Sequence, residues 1–174
     1  MNKTRNSFLK SQGYTSIKLT KTITNHFQIE AMINDIKGLF ILDTGASNTC
    51  VDLEKNKFSL ISVQSEVKAS SATDLIAETK ISKKNKLQIG KWKNKSSSIV
   101  LFNMTHINNA LNERGIECVD GIIGADMLKK GKAIIDYEKK NFSYRRLRIY
   151  WHNDRWRLNP MGELAKKPVS FCHG

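Results

Sequence analysis

The chain shows an alternation of apolar and polar positions that leads into a short apolar run. Between residues 27 and 33 every odd-numbered position is apolar and two of the three even-numbered positions are polar, which is typical of a strand with one buried face. The segment 34–38, Asn-Asp-Ile-Lys-Gly, carries residues that favour a tight turn. Leu39–Leu42 is apolar throughout and predicts a buried strand. A β-hairpin is therefore expected over residues 27–42.

Further segments of the same kind predict a mostly β fold. We interpret Lys83–Lys86 as a polar tip or bend between two strands, with lysines that solvate a sheet edge. A helix is expected at Ile107–Arg114, ending at Gly115. The remaining strands are expected at residues 17–23, 75–81, 87–89, 99–102, 133–137 and 142–144.

One acidic residue stands at the end of the buried strand. Asp43 follows Leu42 directly, and an unpaired buried charge is very costly. The next residues can hold such an acid, because Thr44 and Ser47 supply hydroxyl groups and Gly45 adopts backbone conformations that other residues resist. Asp43 is therefore either an ordinary turn residue or a carboxylate that is held in place for chemistry.

The segment 40–47, Phe-Ile-Leu-Asp-Thr-Gly-Ala-Ser, resembles the active-site strand and loop of retropepsin-like aspartic proteases. The single-domain members from bacteria look most similar. The resemblance implies that Asp43 is catalytic, and it favours this role over that of a turn residue. The residues that it implies as supports of the active-site loop are Thr44, Gly45, Ala46 and Ser47.

A second motif, residues 119–128, has a defined place in the same family. Alone, its Ile-Ile-Gly segment is equally typical of a core strand that ends in a turn. In the family, a strand of this kind crosses beside the catalytic loop in a psi-shaped arrangement, and a short helix follows, here Ala125–Lys130. The resemblance assigns the psi-shaped strand and the bracing polar side chain to Ile122, Ile123, Gly124 and Asp126.

The resemblance also implies a flap, a hairpin that folds over the substrate, between Val67 and Ile81. Family flaps are usually glycine-rich at the tip, whereas residues 39–89 of this chain contain a single glycine, Gly45, which lies outside the expected flap. The residues that would serve as the flap tip are Ser70, Ser71, Ala72 and Thr73. The implied fold is a single-lobe acid-protease β-barrel with a flap hairpin and a short C-terminal helix.

The chain contains a single Asp-Thr-Gly sequence, and this count determines the expected mechanism. Peptide hydrolysis of this kind uses two carboxylates that share a water, one ionised and one protonated. By resemblance, a homodimer supplies one Asp43 from each subunit, and Thr44 donates a hydrogen bond across the two-fold axis. The expected substrate is an extended polypeptide, and the mechanism requires no metal or cofactor.

The net charge of +13 lies mainly at the two ends of the chain. Residues 1–24 hold five Lys and Arg and no acids, residues 145–174 hold seven against two, and the remainder carries +3. We expect a flexible basic arm at 1–15, a protease domain at 16–145, and a disordered or partly docked basic aromatic tail at 146–174. Contact of this tail with nucleic acid or a membrane is the less favoured alternative, because the central body is nearly neutral.

Compartment and catalytic competence are the last two questions that the sequence addresses. Three cysteines without a C-x-x-C spacing and a start without an apolar signal segment predict a reducing, cytoplasmic location. Four scattered histidines show no spacing of metal ligands, and no 18-residue apolar run predicts a membrane span. The alternative to an enzyme is a dimeric peptide- or protein-binding module of the same fold, which the intact Asp43-Thr44-Gly45 disfavours.

Overall fold

Strands dominate the computed structural model, which describes residues 2–60, 63–65, 79–145, 149–152 and 155–158. Three short helices accompany them in this part of the chain. The helices are α1 (Asn2–Ser11), α2 (Thr105–Asn112) and α3 (Ala125–Lys130). The strands are β1 (Tyr14–Lys18), β2 (Thr20–Lys21), β3 (Phe27–Ile33), β4 (Ile36–Leu42), β5 (Cys50–Asp52), β6 (Val63–Ser65), β7 (Lys80–Ile89), β8 (Trp92–Phe102), β9 (Gly121–Ile123), β10 (Ile134–Asp136), β11 (Asn141–Arg145), β12 (Ile149–His152) and β13 (Arg155–Leu158).

Six of the strands close into a barrel. The largest sheet has the order β2-β3-β4-β9-β5-β8-β7-β6, and an additional pairing of β3 with β7 joins its two sides. A second sheet, of order β1-β11-β10, brings the first strand of the chain against the strand that ends at Arg145. The mostly β, barrel-like fold with a short helix near its end is therefore confirmed.

The predicted hairpin of residues 27–42 is present as β3 and β4. Its turn is formed by Asn34 and Asp35, which both have positive φ angles, of 48° and 68°. This left-handed conformation is what a two-residue hairpin turn with the right twist requires, and Asn and Asp tolerate it well. The odd-numbered side chains of β3 enter the main core, as their alternation predicts.

The second half of β4, residues 39–42, is buried or partly buried on both faces, which explains why its sequence is continuously apolar rather than alternating. Phe40 and Leu42 belong to the main core inside the barrel. Ile41 points to the other side, into a second cluster that α2 covers with Leu111. The helix begins two residues earlier than predicted, at Thr105, and ends at Asn112. Gly115, which follows it, has a φ angle of +67°. The turn at Asp43 is thus attached to a strand that is fixed from two directions.

Of the two alternatives expected for Lys83–Lys86, the tip between two strands is wrong, and a bend within one strand agrees with the structure. The segment lies within the continuous strand β7, where the pairing with β8 shifts register around Asn85. Lys84 has a φ angle of 62°, and the Asn85 side chain is fully buried, donating a 2.7 Å hydrogen bond to the Ser82 hydroxyl. Such a bulge lets lysines face solvent while one polar side chain turns inward. A strand interruption and a bulge have the same polar signature in the sequence.

The described residues near both ends of the chain contain regular structure. Instead of a loose arm, Asn2–Ser11 is helical, and it ends before Gly13, which has a φ angle of 80°. Lys, Arg and Leu are good helix formers, so the polar composition does not prevent a helix. Within the segment expected to be a disordered or partly docked tail, β12 and β13 pair as an antiparallel hairpin, a conformation that their β-branched and aromatic residues favour.

Candidate active site

Asp43 lies at the end of β4, as predicted, and its side chain is partly exposed. Its backbone amide donates a 3.1 Å hydrogen bond to the carbonyl of Ile123, which continues the pairing of β4 beyond Leu42. Its carboxylate oxygen Oδ1 accepts a 2.8 Å hydrogen bond from the amide of Gly45. The turn therefore holds one carboxylate oxygen in place while the acid remains accessible.

Strand β9 lies between the two strands that flank the Asp43 loop. On one side it pairs parallel with β4, with Ile123 opposite Leu42. On the other side it pairs antiparallel with β5, with Ile122 opposite Cys50. The loop from residue 43 to residue 49 thus begins and ends on neighbours of the same short strand. The structure therefore brings the two sequence motifs together.

Asp126 braces the loop from the first turn of α3. Its Oδ1 atom accepts hydrogen bonds of 2.8 Å from both the amide and the hydroxyl of Thr49. The same hydroxyl accepts a 3.0 Å hydrogen bond from the amide of Gly124. In addition, the amide of Ala125 donates a 2.7 Å bond to the carbonyl of Ala46. These bonds connect the Asp43 loop to α3 at several points, so the loop geometry depends on the helix position.

Gly124 is required by close backbone contact. A Cβ atom at this position would lie 2.5 Å from the carbonyl carbon and oxygen of Asn48 and 2.9 Å from the carbonyl oxygen of Ala46. Backbone atoms on a braced loop cannot move away easily, so a larger residue would displace the Asp43 loop. The glycine of the Ile-Ile-Gly motif thus has a steric explanation that the sequence alone does not give.

A second carboxylate, Asp120, lies at the other end of β9 from the Asp43 loop and is bound to cations. It accepts hydrogen bonds of 2.9 Å from the amide of Leu39 and 2.7 Å from the Nζ atom of Lys57, and it lies 3.4 Å from the Nζ atom of Lys55. Burial raises the pKa of Asp120, but the hydrogen bonds from Lys57 and Leu39 and the charges of both lysines outweigh it, so its pKa is lowered. This acid anchors β9 to β4 and the loop after β5.

Sequence analysis missed Thr49, Asp120 and the buried acid Asp52 as structural parts of the site. Asp52 Oδ1 accepts a 3.3 Å hydrogen bond from the amide of Met104, just before α2. Its other oxygen accepts a 3.4 Å bond from the Nδ2 atom of Asn108. These partners lie about fifty residues from Asp52 along the chain, and no local pattern indicates them. For Thr49, the only signal in the sequence is its closeness to the Asp43 motif.

Cys50 lies beside the loop but is chemically inert there. Its side chain is buried, and burial raises the pKa of its thiol to about 12. Because the thiolate is the reactive form, a thiol with so high a pKa is a poor nucleophile at neutral pH. The cysteine therefore serves as a small apolar side chain in β5.

The other predicted site residues fall into two groups. Thr44, Gly45 and Ser47 are exposed on the loop surface, and Ala46 is partly exposed. The flap candidates Ser70, Ser71, Ala72 and Thr73 lie outside the described residues. Within the described ranges no group of three or more His, Cys, Asp and Glu side chains is arranged to hold a metal ion. The helices described here are also too short or too polar to cross a membrane.

Comparison with known proteins decides the family. The model of the aspartyl protease family matches residues 29–127, which is more than half of the chain. The chain belongs to the aspartyl proteases. The matched region runs from β3 through the Asp43 loop and β9 into α3, and so it contains both motifs. A search among curated proteins found no match.

A solved structure shows the same fold. A retropepsin-like aspartic protease from Rickettsia conorii is 21% identical, with a TM-score of 0.51, over 75% of this chain and 92% of that chain. The EIAV protease in complex with the inhibitor HBY-793 is 13% identical, with a TM-score of 0.46, over 64% of this chain and 92% of that chain. The family match makes this chain an aspartyl peptidase, and the likeness to the structure from Rickettsia conorii shows that it has the retropepsin-like fold.

Proposed function

We propose that this aspartyl protease is an endopeptidase in which Asp43 is the catalytic carboxylate. The observation that carries the proposal is the position of Asp43, whose amide is bound to Ile123 at the end of β9 and whose carboxylate is oriented by Gly45. Asp120 is bound to lysines, and Asp126 accepts two bonds from Thr49. Asp52 is buried, with the Met104 amide and the Asn108 side chain bound to its carboxylate. Among these acids, Asp43 combines partial exposure with a carboxylate that is bound by a backbone amide.

The proposed reaction needs a second carboxylate, and we propose that a second copy of the chain supplies it. Two acids about 3 Å apart share one proton, so one accepts a proton from water while the other polarises the substrate carbonyl. The exposed surface of the Asp43 loop, with Thr44, Gly45 and Ser47, favours such an arrangement. A homodimer would place two identical loops face to face on its two-fold axis.

The proposed substrate is an extended polypeptide, and the proposed catalytic domain covers residues 16–145. Extended chains suit a cleft between strands, because main-chain hydrogen bonds can form along both sides. The pairing of β1 with β11 supports these bounds, since it joins the two ends of this segment in one sheet. Strand β1 begins two residues before the proposed bound, at Tyr14.

Replacement of the proposed catalytic acid tests the mechanism. Asp43→Asn should lower the rate of cleavage of an unfolded protein by a factor of about 10³ or more, because the amide cannot accept the water proton. Asp35→Asn is a matched control, since Asp35 lies exposed in the hairpin turn, where Asn tolerates its positive φ angle. Cleavage by Asp43→Asn at the wild-type rate would exclude Asp43 as the catalytic acid.

Dilution tests the proposed dimer. If each subunit gives one acid, specific activity should fall steeply below the dissociation constant of the dimer, and sedimentation should show monomer over the same concentration range. Mixing wild-type chain with excess Asp43→Asn chain should also inhibit, because mixed dimers hold one active carboxylate. An active species that sediments as a monomer at every concentration is incompatible with a shared dyad. A wild-type dimer that binds peptides without cutting them would identify a binding module instead.

A further inference from the structure

Strand β3 has an edge that is paired at its two ends and open in the middle. On the side away from β4, its first residues pair with β2, where Gln28 lies opposite Thr20. On the same side, its last residues pair with β7, where Met32 lies opposite Gln88. Among the described strands, none pairs with β3 on this side between those two points. The interruption is about 13 Å long, at roughly 3.3 Å per strand residue.

The backbone groups that face this interruption belong to Glu30. The amide of Asn34 donates a 2.9 Å hydrogen bond to the carbonyl of Lys86, so the even-numbered residues here direct their N–H and C=O groups toward β7. Because this direction alternates along a strand, Glu30 directs both groups to the same edge. Continuing the register of β3 with β7 would place Gly90 opposite Glu30, but Gly90 turns the chain away with a φ angle of +53°.

A cavity of about 520 Å³ lies along this interruption. A smaller one of about 150 Å³ adjoins it and shares Glu30 and Gly90 in its lining. The larger volume is within the range of sites that bind small ligands. The polar side chains that line the larger cavity are those of Lys18, Thr20, Gln28, Glu30 and Glu117.

Gln28 provides an independent indication of a ligand. The residue is 8% exposed, and its Nε2 atom is buried without a hydrogen-bond partner in the described structure. A buried polar group without a partner destabilises a protein, so such groups are normally satisfied. Gln28 lines the larger cavity, and a rotation of its amide toward the cavity would let an acceptor bound there complete its hydrogen bonding.

We propose that this cavity is a binding site for a short extended peptide with a free N-terminal ammonium group, separate from the Asp43 loop. A guest residue opposite Glu30 would exchange two main-chain hydrogen bonds with it, as in an antiparallel ladder. A guest carbonyl would accept the unused N–H of Gln28. The interruption has space for about three residues, since it is bounded by Thr20 and Gln88.

The charge of the lining selects the ammonium end of the guest. Two carboxylates, those of Glu30 and Glu117, line the cavity, against one lysine. That lysine, Lys18, directs its Nζ atom to the carbonyl of Lys139 at 3.4 Å, which reduces its effect on a ligand. A positive group bound beside two carboxylates forms charge-assisted hydrogen bonds, which are stronger than neutral ones. No residue of the Asp43 loop lines the cavity, so occupation does not require the catalytic acid.

Titration of the full-length, isotope-labelled protein with trialanine tests the site. We expect saturable shifts of the backbone amide signals of Gln28, Glu30 and Gly90 in nuclear magnetic resonance spectra. N-acetyl-trialanine lacks the ammonium group and should bind about tenfold more weakly, which corresponds to one charge-assisted hydrogen bond. The same loss is expected when Glu30→Gln and Glu117→Gln are combined. Glu138→Gln, an exposed residue in the turn after β10 that does not line the cavity, should bind like wild type.

A third variant tests the buried amide itself. Gln28→Met has a similar shape but no donor, and trialanine should bind it several-fold more weakly. If Gln28→Met does not fold, the combined Glu30→Gln and Glu117→Gln variant still decides the result, because both residues are exposed. Shifts confined to residues 43–47, no saturable shift, or equal affinity of the double variant and wild type would each overturn the proposal.

Discussion

The two ends of β9 carry acids in contrasting surroundings. Before the strand, Asp120 lies at the surface of the core with two lysines and a backbone amide around its carboxylate. After the strand, the loop that contacts Ile123 holds Asp43, partly exposed and bound by the amide of Gly45. Interactions that neutralise a carboxylate stabilise the fold but reduce its availability for chemistry. The contrast indicates that Asp120 contributes to stability and that Asp43 is left available for reaction.

Truncation of the two acids should give the largest difference, and the quantity that differs is the free energy of unfolding. Asp120→Ala should lower the free energy of unfolding by about 3 kcal/mol, because it leaves the Leu39 amide and two lysine charges without their partner. Asp43→Ala should change it by about 0.5 kcal/mol or less, because a partly exposed turn residue has few contacts to lose. Urea denaturation of both variants measures the two values.

Equal destabilisation by the two variants would contradict the proposal that Asp120, but not Asp43, stabilises the fold. Asp120→Asn serves as an intermediate control, since an amide oxygen can still accept the hydrogen bond from Leu39 while the charge is removed. It should fall between wild type and Asp120→Ala. If Asp120→Asn matches wild type, the two lysines do not contribute to the anchoring of β9.

Substitution of Thr49 should have a smaller effect, and it should change both the stability of the fold and the rate of cleavage. Thr49→Val keeps the shape of the side chain but removes the hydroxyl that donates to Asp126 and accepts from Gly124. The Gly124 amide then lacks its partner and Asp126 keeps only the bond from the Thr49 amide, so we expect a loss of about 1–2 kcal/mol in the free energy of unfolding. Because the same bonds brace the Asp43 loop, the rate of peptide cleavage should fall as well.

Thr49→Ser is the matched control, since it retains the hydroxyl and loses only a methyl group. Its cleavage rate should stay closer to that of wild type than the rate of Thr49→Val. Thermal unfolding measured beside activity separates the two effects. A stable Thr49→Val variant with full activity would show that the hydroxyl does not position the loop.

The sequence predicts the parts of the site that depend on neighbouring residues. The hairpin of residues 27–42 follows from alternation and turn chemistry, and Ala125–Lys130 is a helix with the predicted bounds. The motif at Asp43 indicates where the acid lies, but not what surrounds it. The lysines that bind Asp120 are separated from it by more than sixty residues.

The bulge in β7 and the helix α1 illustrate two other limits of sequence analysis. Lysines around Asn85 suggest a strand end, whereas the tertiary structure buries Asn85 and keeps the strand continuous. A polar basic start suggests a loose arm, yet α1 contains Lys, Arg and Leu, which are good helix formers, and Tyr14 pairs with Arg145 shortly after the helix. The bulge depends on long-range pairing that a local pattern does not contain, whereas the helix shows that a polar composition does not by itself indicate a loose segment.

Acid titration should reveal the smallest effect in this comparison. The pKa of Asp120 is lowered from 3.8 in the folded protein, so folding favours its ionised form. At pH values above 3.8 the acid is ionised in both states, and its stabilisation is fully present. As the pH falls below 3.8, the unfolded chain binds the proton first, and stability is lost until the pH has passed through the folded pKa. Asp120→Asn removes this titration, so the free energy of unfolding of the variant should depend less steeply on pH below about 4. Lys57→Met should also reduce the slope, because it removes the strongest interaction that lowers the pKa. Identical slopes for wild type and Asp120→Asn would show that the ion pair does not contribute to folding in solution.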